Sequence, residues 1–533
     1  TEGLVGSEMC IRDRDIIVGL DAGTSLIKFV AFDTDGKFID SASVDNKVYF
    51  REGDKAEQNL EETWQKVLKA FNLLNEKIGG LKERLLAICI TGQGDGSWPI
   101  DKHGNSVGDA ALWLDGRSGE IINNWRNSII GPQITKITDT GLNTSMQSGQ
   151  MFHIYQNEPE RFEKINKVLR CKDWIFYKFT GDIFTDISES YMTWGSPIER
   201  KYKDEILEIL NFNQMRDKLP NAIDGTEYLG KLSLEASNML SLNQGTPIVL
   251  APVDVVCSGI GSGFVDQNKK IGCTILGTAG IHIFTDFGNK KSDPNKQLGY
   301  TCPIAGSSAN AKMVSNMVAS LNTDWLIDIL NSFLGDINGE KTDKNKILKL
   351  FEKNASKSDP ASIFYYPFIS PNGERGPFVN AKARAQFLGM STATTTYDLV
   401  RSLYESLAYA CKDCYTEFGA DLDLLRLTGG ASNSPLVRKI VGSVNMIDTQ
   451  SIENSEQGAA GACMVGLIAL KDAKGYEELN KKWVNKYLKE VEKYDTKLSE
   501  VYKKAFKIYK KGYENMIDFW DLNHNFQINK NEN

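Results

Sequence analysis

Apolar and polar positions alternate along the chain in blocks that change period. Ile16 to Leu20 is an unbroken apolar run, followed by the small-residue turn Asp21-Ala22-Gly23-Thr24-Ser25. A second apolar run, Ile27 to Phe32, is interrupted only by Lys28. These runs read as two strands, with a third, Phe38 to Val44, after the turn "TDGK". "NLEETWQKVLKAFNLLNEKI" then returns to apolar residues at three- and four-residue steps, the mark of an amphipathic helix. "LLAICITGQG" reads as a buried strand running into a glycine turn, and "RCKDWIFYKFTG" as a helix ended by Gly181. "TPIVLAPVDVVCSGIGSG" reads as a strand, a turn holding Asp254, and a Gly/Ser-rich start of a helix. From Glu477 to Trp520 the pattern is charged and helical, and the last dozen residues are polar and expected to fray.

The strand–turn–strand scheme occurs twice. "IGCTILGTAGIHIFTDF", Ile271 to Phe287, sets "LGTAGIHIF" against the earlier "LDAGTSLIKFV". One Gly-Thr turn signals only a hairpin. Two, each opening half of the chain, predict two related domains facing each other across a cleft. A tight hairpin can aim several backbone N–H groups into one concavity, which binds phosphate without a helix terminus. Glycine allows the close approach, and Thr and Ser add hydroxyl donors. A third cluster, "LRLTGGASNSPLVRKIVGSV", places Gly429-Gly430-Ala431 between a strand and a helix, a platform suited to a flat ring.

Size and composition narrow the classes. With 533 residues the chain exceeds a single core, and its apolar and charged fractions are those of a globular protein. A formal net charge of −7 argues against a nucleic-acid partner. No apolar run of about 18 residues predicts a membrane span, and no apolar signal region predicts export. The nine cysteines are odd in number and lack framework spacing, which fits a reducing cytoplasm. Cys411 and Cys414 fall in a helical pattern and read as buried thiols. Thr1 to Arg14, containing "VGSEMCIRDR", has no periodicity and reads as a foreign or disordered extension. The expected division is therefore 1–14 extension, 15–262 N-terminal domain, 263–520 C-terminal domain and 521–533 polar tail.

The carboxylates separate by role. Asp21, inside the first turn, would repel a phosphate unless a cation stood between them, and Mg²⁺ is the hard cation for that. Asp254 could take the proton of a substrate hydroxyl. Taken alone, either is more simply a turn residue capping a helix. Lys28, beside the first turn, reads equally as a phosphate contact or a solvated strand position.

In this order, "GLDAGTSLIKFVAFD", "ITGQGDG", "LWLDGRS", "TGLNTSMQSGQM", "CKDWIFYKFTGDIFTD", "APVDVVCSGIGSG", "LGTAG", "GERGPFVNAKARAQFLG", "LTGGASNS" and "SEQGAAGACMVG" resemble the FGGY family of carbohydrate kinases. The resemblance runs from Asp15 to about Gly466. It implies an α/β protein of two actin/Hsp70-like (ribonuclease H-like) ATPase domains. It makes Asp254 the catalytic base and places Asp21 near Mg²⁺ and the γ-phosphate. It assigns Gly23, Thr24, Ser25 and Lys28 to one phosphate turn, Gly277, Thr278 and Gly280 to the other, and Gly429, Gly430, Ala431 and Asn433 to adenosine. It assigns Gln93, Gly94, Asp95, Trp113, Asp115 and Gln147 to the acceptor. Val255 stands where many members carry Gln, and Gly94-Asp95 stands where glycerol kinases carry Arg-Glu, so glycerol is disfavoured. The implied activity is ATP-dependent phosphorylation of a small polyol, erythritol before a pentulose such as xylulose or ribulose. The other class kept open is a non-kinase actin/Hsp70-like ATPase. The implied enzyme is cytoplasmic, with no nucleic-acid or membrane partner, and a homodimer stays open.

Overall fold

The computed structural model describes residues 15–453 and 456–531. The extension read as foreign, Thr1 to Arg14, lies outside the described residues. The chain divides into two compact units. Unit 1 takes the described residues up to Asp266, then Thr285–Lys312, then the stretch ending at Tyr487. Unit 2 takes Gln267–Phe284, Met313–Glu453 and the residues from Leu488 onward.

Unit 1 is built on a six-stranded sheet in the order Gly230–Lys231, Pro247–Leu250, Leu85–Gly92, Ile16–Ala22, Leu26–Asp33, Phe38–Asp45. The last three form an antiparallel meander. Ile16–Ala22, Leu85–Gly92 and Pro247–Leu250 run parallel. Parallel strands are covered on both faces, which is why Ile16, Ile17, Val18, Ile88, Cys89, Ile90, Val249 and Leu250 are all buried and their runs do not alternate. The amphipathic stretch forms the helix Leu60–Ile78, capped by the Asn59 side chain, and buries Trp64, Val67, Phe71 and Leu74.

The helix Asp254–Gly261 begins at Asp254 itself, so this residue opens a helix and is not held within the preceding turn. A second helix, Gln457–Ala469 (QGAAGACMVGLIA), packs on it at backbone distance. A Cβ added to Gly461 would lie 1.9 Å from the carbonyl oxygen of Cys257. Small residues here let the backbones touch, and that contact fixes the helix carrying Asp254.

In unit 2, Ile271–Leu276 pairs antiparallel with the strand that starts at Gly280 and parallel with Leu424–Thr428, which pairs with Thr449–Ser451. The echo seen in the sequence is thus a repeated hairpin beside a parallel strand. Cys411 and Cys414 lie in the helix Thr396–Glu417, both buried and free. The helical pattern expected from Glu477 to Trp520 is broken. A short helix at Tyr476–Leu479 gives way to tighter and wider turns, and regular helix resumes only at Thr496–Glu514. Between them Glu492 exchanges backbone hydrogen bonds with Thr449, so pairing beside the sheet overrides local helical periodicity there. A final helix, Ile517–Asn531, contains most of the polar tail. Among the described residues no helix is long and apolar enough to cross a membrane.

Candidate active site

The strand ends of unit 1 bring two sequence motifs side by side. Leu85–Gly92 delivers the "GQGDG" turn and Pro247–Leu250 delivers Asp254, and the two strands are paired neighbours. Thr91 Oγ1 donates to the Pro252 carbonyl at 2.6 Å, which ties the two exits together. A Cβ on Gly94 would come within 2.6 Å of Val253 Cγ2, so only glycine lets the acceptor turn sit against the residue before Asp254. This is the carboxyl end of parallel strands, where ligands of open α/β sheets are bound.

Asp254 lies in a surrounding that favours its protonated form. Burial pushes its carboxyl well above the usual carboxylate range, the charge of Asp21 raises it further, and the Val255 N–H, donated to Asp254 Oδ1 at 2.7 Å, only partly offsets this. Asp21 is itself pushed up to about 6, chiefly by burial, with Lys28 pulling it down and Glu456 pushing it up. Lys28 sits directly across the hairpin from Asp21 and is paired with Glu456 at 3.1 Å. Two buried carboxylates, one of them raised by the charge of the other, create a demand for positive charge.

The first turn is knitted to the acceptor turn. Thr24 Oγ1 donates to Gln93 Oε1 at 2.9 Å and accepts from Trp113 Nε1 at 2.8 Å. Gln93 Nε2 donates to Gln58 Oε1, and Gln58 Nε2 donates to the Thr24 carbonyl, closing a ring of polar contacts. Gly23 N–H closes the hairpin on the Leu26 carbonyl, and Ser25 is exposed.

Two of the acceptor candidates, Asp115 and Gln147, are engaged by protein groups. Asp115 is fully buried, and its carboxylate accepts from Arg117 and from the Ala56 N–H. Gln147 donates to the carbonyls of Leu169 and Gly96 and accepts from Trp194 Nε1. Gln147 thereby holds the Gly96 carbonyl, and Asp115 ties Arg117 to the backbone at Ala56. Asp95 is different. It adopts φ 55, its N–H donates to Glu189 Oε1 at 2.7 Å, and its Oδ2 accepts from the Tyr300 hydroxyl at 3.0 Å.

Behind this turn lies a buried charge cluster that sequence reading missed. Lys172 is fully enclosed and contacts Asp173 and Glu189 at 3.0 Å, and Asp186. Burial opposes the ammonium charge, yet the three carboxylates outweigh it and hold its pKa well above that of an ordinary lysine. Glu189 is pushed up to about 7, with burial the main cause and Lys172 opposing it. The helix Ile187–Trp194 also offers Ser188 Oγ to the Val253 N–H. One helix therefore holds both the Asp95 turn and the approach to Asp254. Lys172 lies within the quoted "CKDW" segment, but nothing in its spacing announces three partners.

In unit 2 the two predicted nucleotide elements meet. Gly429 has φ 87, and a Cβ on it would lie 2.6 Å from the Leu276 carbonyl carbon. The Gly277-Thr278 turn is thus directly beside the Gly429-Gly430-Ala431 turn. Ala319 and Ser320 N–H groups donate to the carbonyls of Thr278 and Gly277, anchoring that turn from behind. Gly280 opens the next strand, and Gly430–Asn433 forms one turn of 3-10 helix ahead of Pro435–Asn445.

Comparison with known proteins places these features in a family. The signature of the FGGY family of carbohydrate kinases, N-terminal domain, matches residues 16–261, and that of its C-terminal domain matches residues 272–470. The chain is 34% identical to an erythritol kinase of Brucella abortus (strain 2308), over 95% of this chain and 97% of that protein. It is 24% identical to a xylulose kinase of Staphylococcus xylosus, over 88% of this chain and 94% of that one. Among solved structures, a ligand-bound xylulose kinase from Lactobacillus acidophilus superposes with a TM-score of 0.85 at 19% identity, covering 94% of this chain and 98% of that one. Its fold is the two-domain, actin/Hsp70-like fold of these kinases. The chain belongs to the FGGY family of carbohydrate kinases and is an ATP-dependent carbohydrate kinase.

Proposed function

We propose that the chain transfers the γ-phosphoryl group of ATP to a hydroxyl of erythritol, giving erythritol phosphate and ADP. The observation that carries this reading is the packing of the turn that holds Asp95 against the residue before Asp254, through the Gly94–Val253 contact. The kinship with an erythritol kinase supports it. Asp95 presents a carboxylate, which accepts hydrogen bonds from the hydroxyls of an open-chain polyol. The adjacent donor, the Tyr300 hydroxyl, is turned onto Asp95 itself. A ketose carbonyl needs a donor that this pair does not offer, so the pentulose reading ranks second.

In the reaction the acceptor oxygen forms a bond to the γ-phosphorus while the bond from that phosphorus to the β-bridging oxygen breaks. The hydroxyl proton passes to Asp254. Transfer in such kinases depends on positioning and charge neutralisation, and the proton leaves late, so a carboxylate suffices as base. Lys28, held by Glu456, places a positive charge beside the first turn. The turns at Gly277–Gly280 and Gly429–Asn433 are proposed to hold the nucleotide.

The residues present fit a divalent cation. Burial raises both Asp21 and Asp254, the charge of Asp21 raises Asp254 further, and Asp21 stands near the end of the strand that leads into the phosphate turn. Among the described residues no group of three or more His, Cys, Asp or Glu forms a closed cage. A magnesium ion shared between one carboxylate, water and phosphate oxygens needs none. Bound with ATP, it supplies neutralisation of phosphate charge; Asp21 is proposed to hold it.

A coupled ADP-release assay over tetritols, pentitols, glycerol, xylulose and ribulose tests the reading. Erythritol is expected to give the highest kcat/KM. A pentulose that exceeds every tetritol overturns the polyol assignment and leaves the kinase intact.

A further inference from the structure

Tyr300 lies beyond the second glycine turn in sequence, yet the segment Thr285–Lys312 belongs to unit 1. The return is tightly secured. Gly141 N–H donates to the Gly299 carbonyl at 2.9 Å, and Arg126 donates to the Gln297 carbonyl at 3.1 Å. Asp139, fully buried, accepts from Thr301 Oγ1 and pairs with Lys312, each at 2.9 Å. The strand Tyr300–Pro303 packs on the helix that carries Glu189, with Cys302 Sγ 3.6 Å from Met192 Sδ.

This arrangement delivers one hydroxyl to one carboxylate. Tyr300 Oη donates to Asp95 Oδ2 at 3.0 Å and lies 3.2 Å from Ser145 Oγ. The Ser145 carbonyl accepts from the Gly96 N–H at 3.1 Å. Asp95 is therefore gripped at its own N–H by Glu189, at the next residue by Ser145, and at its side chain by Tyr300. The grip matters because Asp95 is a non-glycine residue at positive φ, a conformation that costs energy unless its surroundings impose it. Tyr300 is only half-buried, so it stands at the outer side of the Asp95 turn and not in the core.

We propose that Tyr300 is a positioning residue for the acceptor: its hydroxyl fixes the Asp95 carboxylate in the one orientation that receives polyol hydroxyls. A carboxylate held in advance loses less freedom when substrate binds, so the benefit falls on acceptor affinity. This inference rests on the polyol-kinase reading. Tyr300→Phe removes the hydroxyl and keeps the ring, and it is combined with Asp95→Ala in a four-protein cycle assayed with erythritol and ATP. Losing one hydrogen bond to a charged group is expected to raise KM for erythritol about tenfold. KM for ATP and the thermal midpoint are expected to stay close to those of the parent. In the Asp95→Ala background, Tyr300→Phe is expected to add less than about twofold, because the partner it acts through is gone. Fully additive effects, an unchanged KM for erythritol, or equal losses for both substrates overturn the proposal. The parent protein in the same assay separates the two claims: if it turns over no polyol, the functional reading itself falls.

Discussion

Replacing Lys172 by Met removes the cation that contacts Asp173, Asp186 and Glu189 together, and leaves Arg170, 3.5 Å from Glu189, as the remaining positive neighbour of that carboxylate. Met has nearly the volume of Lys, so packing is kept and the change is electrostatic. Breaking a buried ion pair by removing one partner costs about 3–5 kcal/mol, because the charge left behind is neither solvated nor paired. Here three carboxylates are left, and the two that burial already raises, Asp186 and Glu189, respond by taking up protons. Glu189 already titrates near 7 with Lys172 opposing that rise, and without Lys172 it moves higher. The sign follows from linkage: a carboxyl whose folded pKa is raised contributes stability that is present below its unfolded pKa, near 4, and is lost as pH rises through the folded value. The loss in Lys172→Met should thus be small near pH 5 and approach about 3–5 kcal/mol near pH 8. Urea denaturation of parent and variant at both pH values reads it directly, as a shift in midpoint at constant slope. A loss that is the same at both pH values, or no loss at pH 8, would refute the claim that Lys172 balances buried negative charge.

Asp254→Asn is expected to lower turnover by about 10² to 10⁴ with binding of both substrates retained, measured by steady-state kinetics and calorimetry; near-parent turnover would remove Asp254 as the base. Because burial and Asp21 both raise the Asp254 carboxyl, the acid limb of kcat/KM for erythritol should lie above the ordinary aspartate value of about 3.9, with activity falling as pH drops through it; a limb at or below that value would contradict the assigned environment. Gly461→Val should cost more than about 3 kcal/mol, read by denaturation, since even its first carbon collides with the Cys257 carbonyl; a neutral result would mean the two helices separate easily.

Much of the frame was legible because local pattern and tertiary demand agree. The runs at Ile16–Leu20 and Ile27–Phe32 are strands, and their echo at Ile271 is the matching hairpin of unit 2. Gly429 reads as a required glycine for a reason that the structure supplies: the backbone of Leu276 occupies the space of a side chain. What escaped the sequence depends on distance along the chain. Lys28 meets Glu456 across 428 positions, and Tyr300 meets Asp95 across 205. No periodicity encodes such pairs. Direction escaped as well: "LWLDGRS" marks Asp115 as polar and close to the acceptor region, but only the fold shows its carboxylate turned to Arg117 and Ala56. The C-terminal stretch misled because its residues keep helical spacing through a segment whose backbone pairs with Thr449 instead.

The central claim is that this chain phosphorylates a polyol hydroxyl through Asp254. Phosphorus NMR of the purified protein incubated with ATP, magnesium and erythritol tests it most directly. The account predicts a phosphomonoester resonance that grows in equal measure with ADP, and the loss of both in Asp254→Asn. ADP accumulating together with inorganic phosphate and without a monoester, or a monoester formed undiminished by Asp254→Asn, would contradict it.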